Sequence, residues 1–468
     1  MNIAEYYKNE FIQKRIAEYC GGKPENPQNF TAQYLVGYGV KLLKTKNIEF
    51  MSAPKEYFTW ILENELDIYR SVWDIGSTLG FLDIEYFNLD KPALIYTNPE
   101  EIFHLMEPVY QKILQVFKRF KINPLPIMTG QGYHFSFKVS RYSPADKSLE
   151  KIGFVSATLK EKYKAVKGRR KRPVSIRHGK AFEGMGKILE FLTHIIIKEL
   201  AEENFQLPCV ITDVAIGKSK RGMREAISFD LSMYGDPIYM RDIRTPFSTH
   251  QKHKIQWWKV GKYISETIPP RIAVPRKKIT LDDALKIRKD LNKAIELAKK
   301  TSCKIPDVSK TFKTVMSAYK KSTLYKIHKS FDETEIDEPS RWAKTYYAIN
   351  LDELPPCINH CLLFPNDHLL KPTNLQNLTR TLMSKGWHPK HIAGLVTSRY
   401  QNPQYNWHEN WNKYDPSSRA NFYVRIFSDL IKTGLDRGLD FNCISQKEKG
   451  YCLKEWCGWN LEEIKFKI

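Results

Sequence analysis

The chain has 468 residues, and its 74 Lys plus Arg against 52 Asp plus Glu give a formal charge of +22. With 42% hydrophobic and 13% aromatic residues it can build packed cores, which excludes a disordered basic tail, and its length suits two or three domains. No stretch reaches the roughly 18 consecutive apolar residues of a membrane span: the richest, LEFLTHIIIKEL, is interrupted by Thr193, His194 and Lys198. The first residues, MNIAEYYKNEFIQKR, lack the apolar core of a signal peptide. A soluble, cytoplasmic protein without a membrane partner or structural disulfides is expected. The basic excess alone fits nucleic acid, an anionic surface or acidic proteins equally well.

Residues 1–275 alternate helical stretches with strands. In FLDIEYF, period-2 alternation puts Phe81, Asp83, Glu85 and Phe87 on one face and Leu82, Ile84 and Tyr86 on the other. A helix then opens at Asn98, Pro99 and Glu101, read as a capping box, and carries Ile102, Leu105, Val109, Ile113, Val116 and Phe120 on one side. After the turn TGQG, the strand YHFSFKV sets His134, Ser136 and Lys138 against Tyr133, Phe135, Phe137 and Val139. The run GRRKRP and the following RHGK could meet template phosphates or form a solvated loop. The helix GKILEFLTHIIIKEL follows, and then AISFDLSM, where Ser228, Asp230 and Ser232 share a face. The turn YGDP predicts a hairpin into IYMRDIR. This order reads as an α+β sheet domain with helices over one side.

Residues 276–335 read as a Lys-rich helical connector, and 336–468 as a helical, Cys-rich domain holding five of the eight cysteines. Helices are expected with Thr373 as cap, from His388-Pro389, and from Pro416 to Gly434. Trp257, Trp258, Trp407 and Trp411 could stack on single-stranded bases or pack in a core. His253 and His360 are expected to have no metal role.

Side-by-side carboxylates at Asp83 and Glu85 favour a compensating cation, and hard oxygen ligands suit Mg²⁺ or Mn²⁺. Asp230 could complete a two-metal clamp. The Gly-bounded turn beside His134 lets backbone N–H groups approach a phosphate. Arg244, Ser248, His250 and Lys252 are donors suited to a triphosphate.

The order of FLDIE, TGQGYH, SFD and RTPFSTHQK resembles the motifs of the archaeo-eukaryotic primase superfamily, specifically its small catalytic subunit. That resemblance implies a primase/RRM-like sheet, catalytic metals (Mg²⁺ or Mn²⁺, two per site) on Asp83, Glu85 and Asp230, and a nucleotide held by His134, Arg244, Ser248, His250 and Lys252. It implies primer synthesis on single-stranded DNA from NTPs or dNTPs, with a replicative helicase or polymerase as a candidate partner. The first half lacks the clustered cysteines of the zinc module often found in that subunit. The C-terminal pattern, PPC followed at a long helical interval by NCISQKEKGYC, resembles the iron–sulfur domain of the large primase subunit. By that resemblance Cys357, Cys443, Cys452 and Cys457 would hold a 4Fe-4S cluster, with Cys361 a spare or a substitute. The short spacings leave tetrahedral Zn²⁺ as the alternative. Two rival functions share these features: a gap-filling or lesion-bypass polymerase of the same fold, and a replication-initiator DNA-binding protein without polymerase activity.

Overall fold

The structure, a computed structural model, describes residues 1–164, 173–237, 242–365, 368–369, 371–405, 407 and 414–464. Trp411 and the basic run GRRKRP, apart from Pro173, lie outside the described residues. The chain is α+β and divides into two units, Met1–Gly153 with Tyr163–Leu189 and Met240–Val315, and Phe154–Lys162 with Glu190–Tyr239 and Met316–Ile468. The division falls inside the segment whose composition marks a connector. Helices Leu281–Ile287 and Leu291–Lys300 belong to the first unit because their Ala and Leu faces are buried, at Ala284, Leu285, Ala294 and Ala298. Among the described residues no helix is long and apolar enough to cross a membrane.

The strands in chain order are β1 (Leu35–Tyr38), β2 (Phe50–Ala53), β3 (Asp67–Ser71), β4 (Ser77–Asn88), β5 (Leu125–Met128) and β6 (Gly132–Ser140). They continue as β7 (Cys209–Ile211), β8 (Glu225–Asp230), β9 (Asp242–Arg244), β10 (Thr249–His250), β11 (Arg271–Ile272) and β12 (Val274–Pro275).

In the first unit β12, β5, β6 and β4 pair in that order, all antiparallel. One side of this sheet is apolar because every second residue of β6 is aromatic or branched. Phe103, Tyr110 and Phe117 of helix Pro99–Arg119 meet Tyr133, Phe135 and Phe137 there, with ring centroids 5.5, 5.6 and 5.9 Å apart in turn. Such burial of large rings stabilises each by about 1.5–3 kcal/mol. The helix starts without the expected capping box: the Asn98 side chain caps no backbone N–H, and its amide donates to the Glu101 carboxylate.

A second sheet of this unit runs β2-β1-β3-β9. Its last pairing, Tyr69 opposite Arg244, corrects the expected hairpin of β9 with the strand before it, because β9 finds its partner in β3. In the second unit β7 and β8 pair in parallel. Helices Pro372–Ser384, Pro389–Gln401 and Pro416–Lys432 pack around Leu375, Leu378, Leu382, Leu395, Phe427 and Ile431. Asp415 caps the last through the Ser418 N–H, and His388 caps the middle one through Lys390. Thr373 is not the expected cap; its hydroxyl accepts from the backbone of Ala215 at 2.7 Å.

Candidate active site and metal-binding groups

The strand alternation delivers Asp83 and Glu85 to the half-exposed side of β4, while Leu82, Ile84 and Tyr86 are buried. Antiparallel register then sets His134 opposite Asp83 and Gly132 opposite Glu85. His134 Nε2 stands 3.3 Å from Asp83 Oδ1, yet the two are not aligned as a hydrogen bond, so this buried oxygen has no donor. Edge contact with Phe81, at 4.8 Å between centroids, fixes the imidazole plane. Across the face, Lys252 Nζ lies 3.8 Å from Glu85 Oε1, both side chains about a third exposed. Two adjacent carboxylates thus face one Lys and one imidazole, a donor set whose hard oxygens suit a divalent cation.

The TGQG turn is built for close approach. The Thr129 N–H donates to Gly132 O at 2.8 Å, and Gly132 N donates to the Thr129 hydroxyl at 3.2 Å. A Cβ on Gly132 would sit 1.7 Å from Ile84 O, and one on Gly130 would sit 2.2 Å from the His250 ring, so neither position admits a side chain without movement. Arg288 Nη2 donates to Gly130 O at 3.2 Å and holds the turn from its buried side. His250 is buried, and burial, reinforced by Arg244, His253, Lys252 and Arg288, holds it well below the ordinary histidine value. It is therefore a neutral imidazole at pH 7, with Nδ1 lacking a partner.

Arg244 and Ser248 have a different place from the one their motif suggests. The Arg244 guanidinium is buried, donates to Asp67 Oδ2 at 2.8 Å, to Thr249 O and to Tyr69, and stacks over the Tyr69 ring at 4.5 Å. Ser248 Oγ accepts from Ile68 N at 2.8 Å and donates to Thr249 O. Both side chains are engaged in joining β3 to the segment that carries His250 and Lys252, which makes them positioning residues rather than surface donors. Asp67 beneath them is raised above its ordinary value by burial, against the opposing pull of Arg244. Asp230 belongs to the second unit, at the end of β8, where its Oδ1 accepts from Ser232 N at 2.8 Å.

His253 Nε2 donates to Ile268 O, 2.9 Å away, and His360 lies against Phe364 and His368. Trp257 and Trp258 are 51% and 55% exposed, whereas Trp407 packs edge-on against Tyr400. A broad groove lined by Tyr19, Arg70, Asp74 and Lys138 also lies in the first unit; neither carboxylate of β4 lines it.

In the second unit, Cys357 at the start of helix Pro356–Leu363, Cys443 at the start of helix Cys443–Glu448, and Cys452 and Cys457 in the following loop line one small pocket with Pro355, Trp459 and Leu461. Burial and then the neighbouring thiols of Cys443, Cys457 and Cys452 push the Cys357 thiol up to about 12. Mutual repulsion of this kind is what a bound metal reverses. Cys361 is buried, does not line the pocket, and points its thiol at Cys357 O. Glu190, His328 and Asp429, all buried, form a further group that could hold a metal ion. Sequence reasoning missed it, although Glu190 and His194 are titratable residues one turn apart within the apolar run ILEFLTHIII. No family model, curated protein or solved structure matches this chain.

Proposed function

We propose that the chain is a DNA-dependent nucleotidyltransferase of the primase type, which synthesises primers de novo on single-stranded DNA. The observation that carries the reading is the register of β4 on β6, with Asp83 and Glu85 facing His134, the TGQG turn and Lys252. Asp83 and Glu85 would hold divalent Mg²⁺ or Mn²⁺, ions that activate a 3′-hydroxyl and neutralise the leaving pyrophosphate; a ligand role for Asp230, which belongs to the second unit, rests on the sequence resemblance alone. His134 offers a donor to a phosphate oxygen, and Lys252 supplies a cation close to Glu85. Backbone N–H groups of the glycine turn give the triphosphate a close approach. Arg244 and Ser248 act through the segment they brace, holding His250 and Lys252 in register. The +22 charge suits a polyanionic template.

The thiol pocket gathers Cys357, Cys443, Cys452 and Cys457, and the resemblance to the large primase subunit makes an iron–sulfur cluster the reading, with tetrahedral zinc as the alternative. Cys357, Cys443, Cys452 and Cys457 would hold the 4Fe-4S cluster, in a domain that assists initiation. The test is primer synthesis on unprimed single-stranded DNA, with labelled NTPs and dNTPs in separate reactions. Product that disappears in Asp83→Ala, with template binding retained, supports the reading; product only on primed templates indicates a gap-filling polymerase, and no product on either kind indicates a non-catalytic DNA-binding protein.

A further inference from the structure

We propose that Glu190, His328 and Asp429 form a structural site for one transition ion of the zinc class, joining three helical segments of the second unit. Glu190 and His194 lie one turn apart on helix Ile176–Glu202, His328 is on Thr323–Glu333, and Asp429 is on Pro416–Lys432. The side chains of Glu190 and Asp429 are fully buried and that of His328 is 2% exposed.

Three observations point to an ion. His328 Nε2 lies 2.9 Å from Asp429 Oδ2 and 3.5 Å from Glu190 Oε2. Ligands about 2.0–2.1 Å from a tetrahedral zinc are roughly 3.3 Å apart, so these separations bracket the value required. Second, despite those distances the groups are not aligned as hydrogen bonds: His328 Nε2, Asp429 Oδ2, Glu190 Oε1 and His194 Nε2 all lack hydrogen-bond partners. His194 Nε2, 4.0 Å from Glu190 Oε1, lies outside this group of three. Third, the outer partners are set as they are around metal ligands. Tyr319 lies 2.7 Å from His328 Nδ1 and orients the ring, and Arg425 donates to Glu190 Oε2 at 3.1 Å. With His328 neutral, two carboxylates against one arginine leave a net negative charge buried among helices, which a divalent cation neutralises as a proton on His328 would. One imidazole plus two carboxylates favours zinc or a neighbouring first-row ion over Mg²⁺ or Ca²⁺. The rival is a proton in place of the ion, a His328–Asp429 salt bridge.

The test uses the full chain, stripped of metal, with its thiols alkylated, and titrated with Co²⁺. One equivalent giving intense visible d–d bands without thiolate charge transfer is expected, and it disappears in His328→Leu. The weakly absorbing, oxygen-ligated ion expected at Asp83 and Glu85 survives that substitution. Zn²⁺ should raise the melting temperature of the wild-type chain and not of His328→Leu. If His328→Leu does not fold, the wild-type titration decides. Absence of the intense component from the wild-type chain overturns the proposal and leaves the salt bridge as the account.

Discussion

The carboxylate face of the first unit and the thiol pocket of the second both gather groups that repel when charged, but they use the chain differently. Asp83 and Glu85 are two residues apart on one strand, and the antiparallel register with β6 brings His134 to them. Cys357 reaches Cys443, Cys452 and Cys457 only because the intervening helices return the chain to the same place. Chemistry on the strand can therefore be removed while the sheet persists, since its stability rests on the opposite, aromatic side. At the thiol pocket, loss of a ligand also loosens the segment that holds the others.

The largest expected effect follows from the strand. Asp83→Ala should lower nucleotidyl transfer by more than about 100-fold, since even the outer partners of metal ligands cost 10–100-fold, while the melting temperature changes little. Steady-state synthesis and calorimetry on the same preparation check both halves. Retained synthesis would remove Asp83 from the site, and a collapse in stability would erase the contrast between the two regions. Cys443→Ser comes next. An anaerobic wild-type preparation should be brown with broad visible absorption, and the variant colourless and less able to start primers, yet able to extend a supplied one. A colourless wild type loaded with zinc would replace the cluster by the tetrahedral alternative.

Arg244→Ala sharpens the line between contact and support. It strands Asp67 in the interior, and breaking a buried pair costs about 3–5 kcal/mol, readable by urea denaturation. A variant of normal stability with a raised KM for nucleotide would instead return Arg244 to the triphosphate. The smallest effect concerns pH. His178 packs against Trp73, ring centroids 5.1 Å apart, and burial, helped by Arg141, depresses its imidazole to about 3 from 6.5. The unfolded chain binds this proton more readily between those values, so the stabilising contribution is complete above about pH 6.5 and is lost as pH falls toward 3. His178→Gln should flatten the pH dependence of the melting temperature in that window, and an unchanged slope would show that other groups set it.

What could be read from sequence tracks the range of the interactions. Period-2 alternation identifies the faces of β4 and β6 because a strand's geometry is local, and His388-Pro389 marks a helix start for the same reason, whereas the side chains of Asn98 and Thr373 turn from their expected caps to other partners. The engagement of Arg244 with Asp67 was hidden, because the motif containing Arg244 gives no sign of a partner 177 residues away. The pairing of β9 with β3 was hidden likewise: the turn YGDP suggests a neighbour, and tertiary packing supplies another. Cysteines stand out by rarity, so their grouping could be guessed across a long interval. Glu190, His328 and Asp429 are common residue types scattered over three helices, and only the packing brings them together.

The central claim is that the face of Asp83 and Glu85 makes new phosphodiester bonds without a primer. The direct measurement is incubation of the full chain with unprimed single-stranded DNA, Mg²⁺ or Mn²⁺, and labelled NTPs or dNTPs, beside Asp83→Ala. A ladder of short products from the wild-type chain alone is the predicted result. Absence of product from both nucleotide pools, or product of equal yield from Asp83→Ala, would contradict it.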